Sequence, residues 1–340
     1  MYNQLYNKKK RGFKLNELNY KRTCKNIAIA VLMNTLLLQI LSTVAFLIAS
    51  LFEQPLRTLS RLLSISAADL CYAFEETLLL TAYLAAFLIP AFVFMYLTRN
   101  ENRQPLRLEI KLEPETPLVI IAAIGMILPA AYVNSFMVSF IDFGDLFASE
   151  PLDTPVKILM AFISIAIVPA LCEEFLFRGC ILSNLLPYGK TTAILASAVL
   201  FSMMHGNIAQ FFYTFVAGLV LGAVYVETGS IWPCTFIHLF NNFYSIIQQV
   251  IYERAGETEQ INIVIFVMEV MLPAAGLALG AWLIYMRLKN GKRTEGAVPT
   301  KVCEIENIKY FKGFLNPVMI AHIVITVFLA GTMVLMALGS

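Results

Sequence analysis

Residues 169–179 read PALCEEFLFRG, from Pro169 to Gly179. They set Glu173, Glu174 and Arg178 inside an apolar run: MAFISIAIVPAL leads up to the two acids, and FLF separates them from the arginine. Such a run reads as a membrane span, and a charge at bilayer depth costs a few kcal/mol on insertion scales. Charges kept there are paired, functional or both. Glu174 and Arg178 stand at i and i+4 on one helix face and can pair. Glu173 lies about 100° round the helix from Glu174, and its own i+4 position is Phe177. Glu174 is therefore neutralised locally. Glu173 is left as the carboxylate able to handle a water, a candidate general base.

The rest of the chain supports the span. Of 340 residues, 59% are hydrophobic and 14% charged, with a mean hydropathy of +0.72. Soluble domains carry about 25% charged residues. A spanning helix takes about 20 apolar residues, and the runs at 27–52, 77–97, 117–141, 156–183, 191–204, 209–226, 231–251, 262–286 and 316–338 are candidates. The runs 191–204 and 209–226 are short and predict a tilted or incompletely spanning hairpin. The expected fold is all-α: a polytopic membrane bundle of eight to nine transmembrane helices.

Charge orients the chain. Lys8, Lys9, Lys10, Arg11, Lys14, Lys21, Arg22 and Lys25 precede the first run, so the positive-inside rule puts the N-terminus in the cytoplasm. Alternation then places the basic connectors 98–116 and 287–315 inside, and the acid-rich connectors 142–155 and 252–261 outside. Nine spans leave the C-terminus outside. No cleavable signal peptide is expected, because the first apolar run exceeds a signal core and no small-residue cleavage site follows. A net charge of +2 gives no footprint for nucleic acid. The six cysteines form no CxxC pair and read as small apolar residues. Cys172 has no cation beside it that would make it a thiolate.

Residues 1–24 read as a basic tail of no fixed fold that can touch anionic lipid heads. Residues 54–73 are mildly amphipathic and predict a helix lying in the interface. Gly218 with Gly222, and Gly276 with Gly280, form GxxxG spacings for close helix packing. Pro169 and Pro273 predict kinks within their spans.

Few other polar side chains lie at depth. His205 ends FSMMH, with Phe201 one turn earlier on its face. His238 and Asn242 form an i, i+4 polar stripe in HLFNN. At about 1.5 Å per residue, Glu173 is ~18 Å from a helix end near Leu185, His205 ~21 Å from Thr191, and His238 and Asn242 ~12 and ~18 Å from Ser230. All of these groups can meet near mid-bilayer if their helices are neighbours. His322 stands alone and reads as a core or interface histidine. Glu269, in FVMEVM, reads as a structural acid bonding a neighbouring helix, with the same cavity as its other possible setting.

These residues match a known family. CEEFLFRG resembles the EExxxR motif of the CPBP intramembrane proteases, also called the type II CAAX prenyl endopeptidase or Abi family; FSMMH resembles their FxxxH motif, and HLFNN their HxxxN motif. The stretch FVAGLVLGAVYVETGSIWPCTFIH resembles the family's glycine-rich helix and TGS turn, and the likeness covers about 155–250. It implies an intramembrane site in which Glu173 and His205 activate a water, His238 and Asn242 stabilise the oxyanion, and Glu174 and Arg178 order the site. Glu173, His205 and His238 could instead ligate Zn²⁺ as a His₂Glu set. The metal-free version is preferred, because Asn242 is a poor zinc ligand and shares a face with His238.

The resulting organisation is a basic cytoplasmic tail (1–24), N-terminal transmembrane helices (25–150), a CPBP-like catalytic core (155–255), and C-terminal helices (256–340) with the cytoplasmic linker 287–315. The expected function is an intramembrane endopeptidase acting on a peptide or protein substrate at the lipid bilayer, multi-pass in a bacterial cell membrane. The alternative is a non-catalytic membrane protein: a transporter, or a scaffold that binds a peptide in the same cavity, as an immunity protein would. Buried Glu, Arg and His also suit proton-coupled transport. The sequence, however, shows none of the repeated halves common in transporters.

Overall fold

A computed structural model describes residues 2–99, 104, 106–110, 113–140, 150–254, 259–290 and 313–339. Among them the chain forms nine helices: α1 (Tyr2–Leu63), α2 (Ala67–Leu97), α3 (Thr116–Val138), α4 (Pro155–Tyr188), α5 (Lys190–Met204), α6 (Ile208–Thr228), α7 (Trp232–Arg254), α8 (259–290) and α9 (Pro317–Gly339). Seven are long and apolar enough to cross a membrane. The exceptions are α5, which is short, and α7, which has the length but carries His238, Asn241, Asn242, Ser245, Gln248 and Gln249. Phe46, Leu51 and Phe328 point outward, as lipid-facing side chains do. The protein is an all-α integral membrane bundle.

Local sequence sets the helix ends. Ser66 caps α2 by accepting from the Asp69 N–H, and Thr154 caps α4 by accepting from the Lys157 N–H, with Pro155 in its first turn. Asn207 caps α6 by accepting from the Ala209 N–H, and Gly229 ends it at φ 64.

Three local expectations change. Residues 2–24 continue α1, and Tyr20 and Cys24 are buried in the core. Tyr20 packs edge-on against Tyr188 at 4.9 Å, which gives this end of the helix an apolar partner. The side chains of Lys8, Lys9, Lys10, Arg11 and Lys14 lie outside the described residues. No separate interfacial helix forms over 54–73. Residues 54–63 complete α1, Ser64 turns at φ 55, Ile65 N–H reaches back to Ser60 O at 3.2 Å, and α2 begins at Ala67. Helix α6 has 21 residues and is long enough to span, so only α5, with 15, is short.

The helices alternate in direction, and each end of the bundle is tied together. At one end Tyr20 meets Tyr188, Ile231 N–H donates to Arg107 O at 3.1 Å, and Trp232 Nε1–H donates to Leu108 O at 2.7 Å. At the other, Leu152 N–H donates to Glu253 at 2.6 Å, Thr154 Oγ1–H to Asp69 at 2.7 Å, and Asn134 Nδ2–H to Ala209 O at 2.6 Å. Most of the connectors 142–155 and 287–315, part of 98–116 and 252–261, and Cys303 lie outside the described residues.

Helix α4 runs through the centre, against α2, α5, α6 and α7. It is π-helical over Phe162–Ile167 and Phe175–Leu182, and α8 is π-helical over Val267–Met271. The first and last of these stretches lie just ahead of Pro169 and Pro273. A proline has no N–H for the carbonyl four residues back. Both glycine pairs mark close packing. A Cβ on Gly218 would come within 2.9 Å of the Ala198 Cα on α5, and Gly276 faces Gly125 of α3 with no room for a Cβ on either.

Candidate active site

Helix α4 buries its charges. Glu173 is 4% exposed, and Glu174 and Arg178 are fully covered. The expected i, i+4 pair forms: Arg178 Nη1–H donates to Glu174 Oε1 at 2.8 Å. Its Nη2 lies 3.4 Å from Gly218 O, and its guanidinium rests over the Phe201 ring at 4.5 Å. The glycine does two things here. It lets α5 approach α6, and it leaves its carbonyl reachable by the arginine.

Glu174 also holds a histidine. His238 Nδ1 meets Glu174 Oε1 at 2.9 Å. A carboxylate only accepts, so Nδ1 carries the proton. The other ring nitrogen, Nε2, then points toward Glu173, 3.8 Å from Oε2. Glu174 is thus a bridge that fixes Arg178 on one side and the imidazole on the other.

Glu173 has no partner on its own helix, as expected, but it is not alone. The Tyr83 hydroxyl of α2 donates to its Oε1. Tyr83 stacks on Phe87 at 4.5 Å, which fixes the ring. Sequence reasoning missed this residue, since Tyr83 lies in an unbroken apolar span with no motif around it. Glu173 Oε2 is buried and has no hydrogen-bond partner among the described residues.

His205 caps the C-terminus of α5. Its Nδ1 bonds Phe201 O at 2.9 Å, so Nε2 is its remaining nitrogen. Phe201 is the hub of the aromatic side: it meets His205 at 5.2 Å, His238 at 6.0 Å and Phe177 at 5.2 Å, all edge-on.

Asn242 lines the cavity and also makes a bond that its spacing did not suggest. Its Nδ2 donates to Ile165 O at 2.9 Å. That carbonyl lies four residues before Pro169 and loses its usual helical donor there. One Asn242 N–H therefore satisfies this carbonyl, and the second is uncommitted to it.

Glu173, His205, His238 and Asn242 all line one cavity of about 470 Å³. The predicted convergence on one site is therefore present, with Glu174 and Arg178 directly behind it. His322 is elsewhere, buried between α9 and α1 with Nδ1 3.4 Å from Thr35 Oγ1. Glu269 accepts from the Tyr252 hydroxyl of α7 and does not line the cavity. Among the described residues no three His, Cys, Asp or Glu side chains gather closely enough to hold a metal ion.

No curated protein and no solved structure matches this chain. Residues 155–244 match a family model described as Type II CAAX prenyl endopeptidase Rce1-like. That segment holds the two acids, the arginine, both cavity histidines and Asn242, and it is similar to this family.

Proposed function

We propose that the protein is an intramembrane endopeptidase that hydrolyses a peptide bond with a water activated by Glu173 and His205. The observation that carries this reading is the shared cavity: Glu173, His205 and His238 line it from three helices, inside a bundle otherwise built for lipid. A peptide carbonyl placed beside Glu173 would be attacked by that water, whose proton passes to the Glu173 carboxylate. The C–N bond then breaks, and the departing nitrogen takes up the proton. With its Nδ1–H held by Glu174, His238 donates to the oxyanion through Nε2 when the ring is the doubly protonated imidazolium, and the second Asn242 N–H, which lines the same cavity, is the other donor. Tyr83 fixes the Glu173 carboxylate. No step is assigned to a metal.

The test is cleavage of lipid-anchored fluorogenic peptides by the purified protein in liposomes. Wild-type protein should cleave, and Glu173→Gln should fold normally yet lose ~10²–10⁴-fold in turnover. Near-normal turnover by Glu173→Gln would remove the catalytic reading and leave the transporter or scaffold alternative.

A further inference from the structure

The cavity is lopsided along the membrane normal. Helix α4 descends from the Pro155 end, and the cavity takes Ser164 and Ile165 from the part of α4 that precedes Glu173. Helix α7 runs the opposite way, and the cavity takes Asn241 and Ser245 from the part that follows His238. Gln210 comes from the first turn of α6, whose start lies at that same end. The polar wall therefore extends from the carboxylate in one direction only. Exposure agrees: Gln210 and Ser245 are exposed, whereas Leu221, which lines the cavity further along α6, is 2% exposed.

That direction is away from the basic end. By helix alternation, α1 begins, α2 ends and α5 starts at the far end, together with Lys21, Arg22, Lys25, Arg99, Arg107 and Lys190. At the cavity's end the sequence places only Arg57, Arg61, Lys157 and Arg254. Lys157 is paired with Asp153 at 3.0 Å and Arg57 with Glu53 at 2.8 Å, so much of this charge is already answered locally. Cationic connectors stay in the cytoplasm.

We propose that the cavity opens to the non-cytoplasmic face, so that the substrate is a peptide segment already translocated or anchored in the outer leaflet rather than a cytoplasmic tail. The substrate half of this inference rests on the protease reading; the direction of the opening does not.

The experiment has two arms. In the first, full-length Ser245→Cys, Gln210→Cys, Glu150→Cys and Lys190→Cys proteins are treated in intact cells with a membrane-impermeant maleimide, and labelling of the unsubstituted protein is subtracted. Ser245→Cys and Gln210→Cys should label from outside, as should Glu150→Cys, while Lys190→Cys should label only after permeabilisation. Labelling of Lys190→Cys in intact cells would overturn the proposal. So would failure of both cavity variants to label from outside where Glu150→Cys does. In the second arm, peptide is supplied to one face of oriented proteoliposomes. Cleavage only from the Glu150 face supports the proposal, and cleavage only from the Lys190 face overturns it. Cleavage from neither face removes the protease reading and leaves the labelling result to decide the direction of opening.

Discussion

Arg178→Ala strands the Glu174 carboxylate, and the structure sets the scale of the damage. Arg178 and Glu174 are both fully covered and joined at 2.8 Å. Removing one partner of a buried ion pair costs ~3–5 kcal/mol, because the other charge stays desolvated. The substitution also empties the space over the Phe201 ring and frees Gly218 O. His238 Nδ1 remains on Glu174 at 2.9 Å and offsets part of the loss, so we expect the low end, ~3 kcal/mol. Domains are stable by only ~5–15 kcal/mol, so folded yield should fall with melting temperature. The assay is thermal unfolding of purified protein in one detergent, for wild type, Arg178→Ala, Glu174→Gln and the Arg178→Ala, Glu174→Gln double variant. The double variant removes both charges and should be less destabilised than Arg178→Ala, giving a non-zero coupling in the cycle. Wild-type melting of Arg178→Ala, or strict additivity in the cycle, would refute the pairing argument.

Three further outcomes are expected. Tyr83→Phe keeps the ring on Phe87 but removes the hydroxyl bonded to Glu173, so kcat should drop about tenfold or more with KM and melting temperature little changed; an unchanged kcat would show that the hydroxyl does not position the carboxylate. Asn242→Ala leaves Ile165 O without its donor and should lower stability by ~1–3 kcal/mol as well as activity. Lost activity at an unaltered melting temperature would mean that the helix does not depend on this bond. Strong chelation should leave cleavage intact if Glu173 and His205 act on water alone; loss on chelation, restored by Zn²⁺, would assign the metal version instead.

Much of this was legible in the sequence because membrane depth makes polarity conspicuous. Glu173, Glu174, Arg178, His205, His238 and Asn242 stand out against apolar helices, and their order and spacing carried the family resemblance. The i, i+4 rule gave the Glu174–Arg178 pair directly. What spacing along one helix cannot report is a bond from another helix. Tyr83 reaches Glu173 from 90 residues away, and His238 reaches Glu174 from 64. The second use of Asn242 was hidden for a related reason: it answers a carbonyl that Pro169 leaves open, on a different helix. The misjudged segments were those where amphipathicity is weak. Around 54–73 the turn chemistry of Ser64 and Ser66 decided the outcome, while Tyr20 and Cys24 found apolar partners that a run of lysines conceals.

The Tyr83 contact redraws the borders of the working unit. The family segment spans 155–244, yet the carboxylate proposed as its base is held by a hydroxyl from α2 and shares its cavity with Ile127 of α3. Excised alone, 155–244 would keep every motif residue and lose the hand that steadies Glu173. The N-terminal helices are therefore part of the instrument rather than its mounting. Relatives that differ in this region can be expected to share the motifs and still differ in how their carboxylate is set.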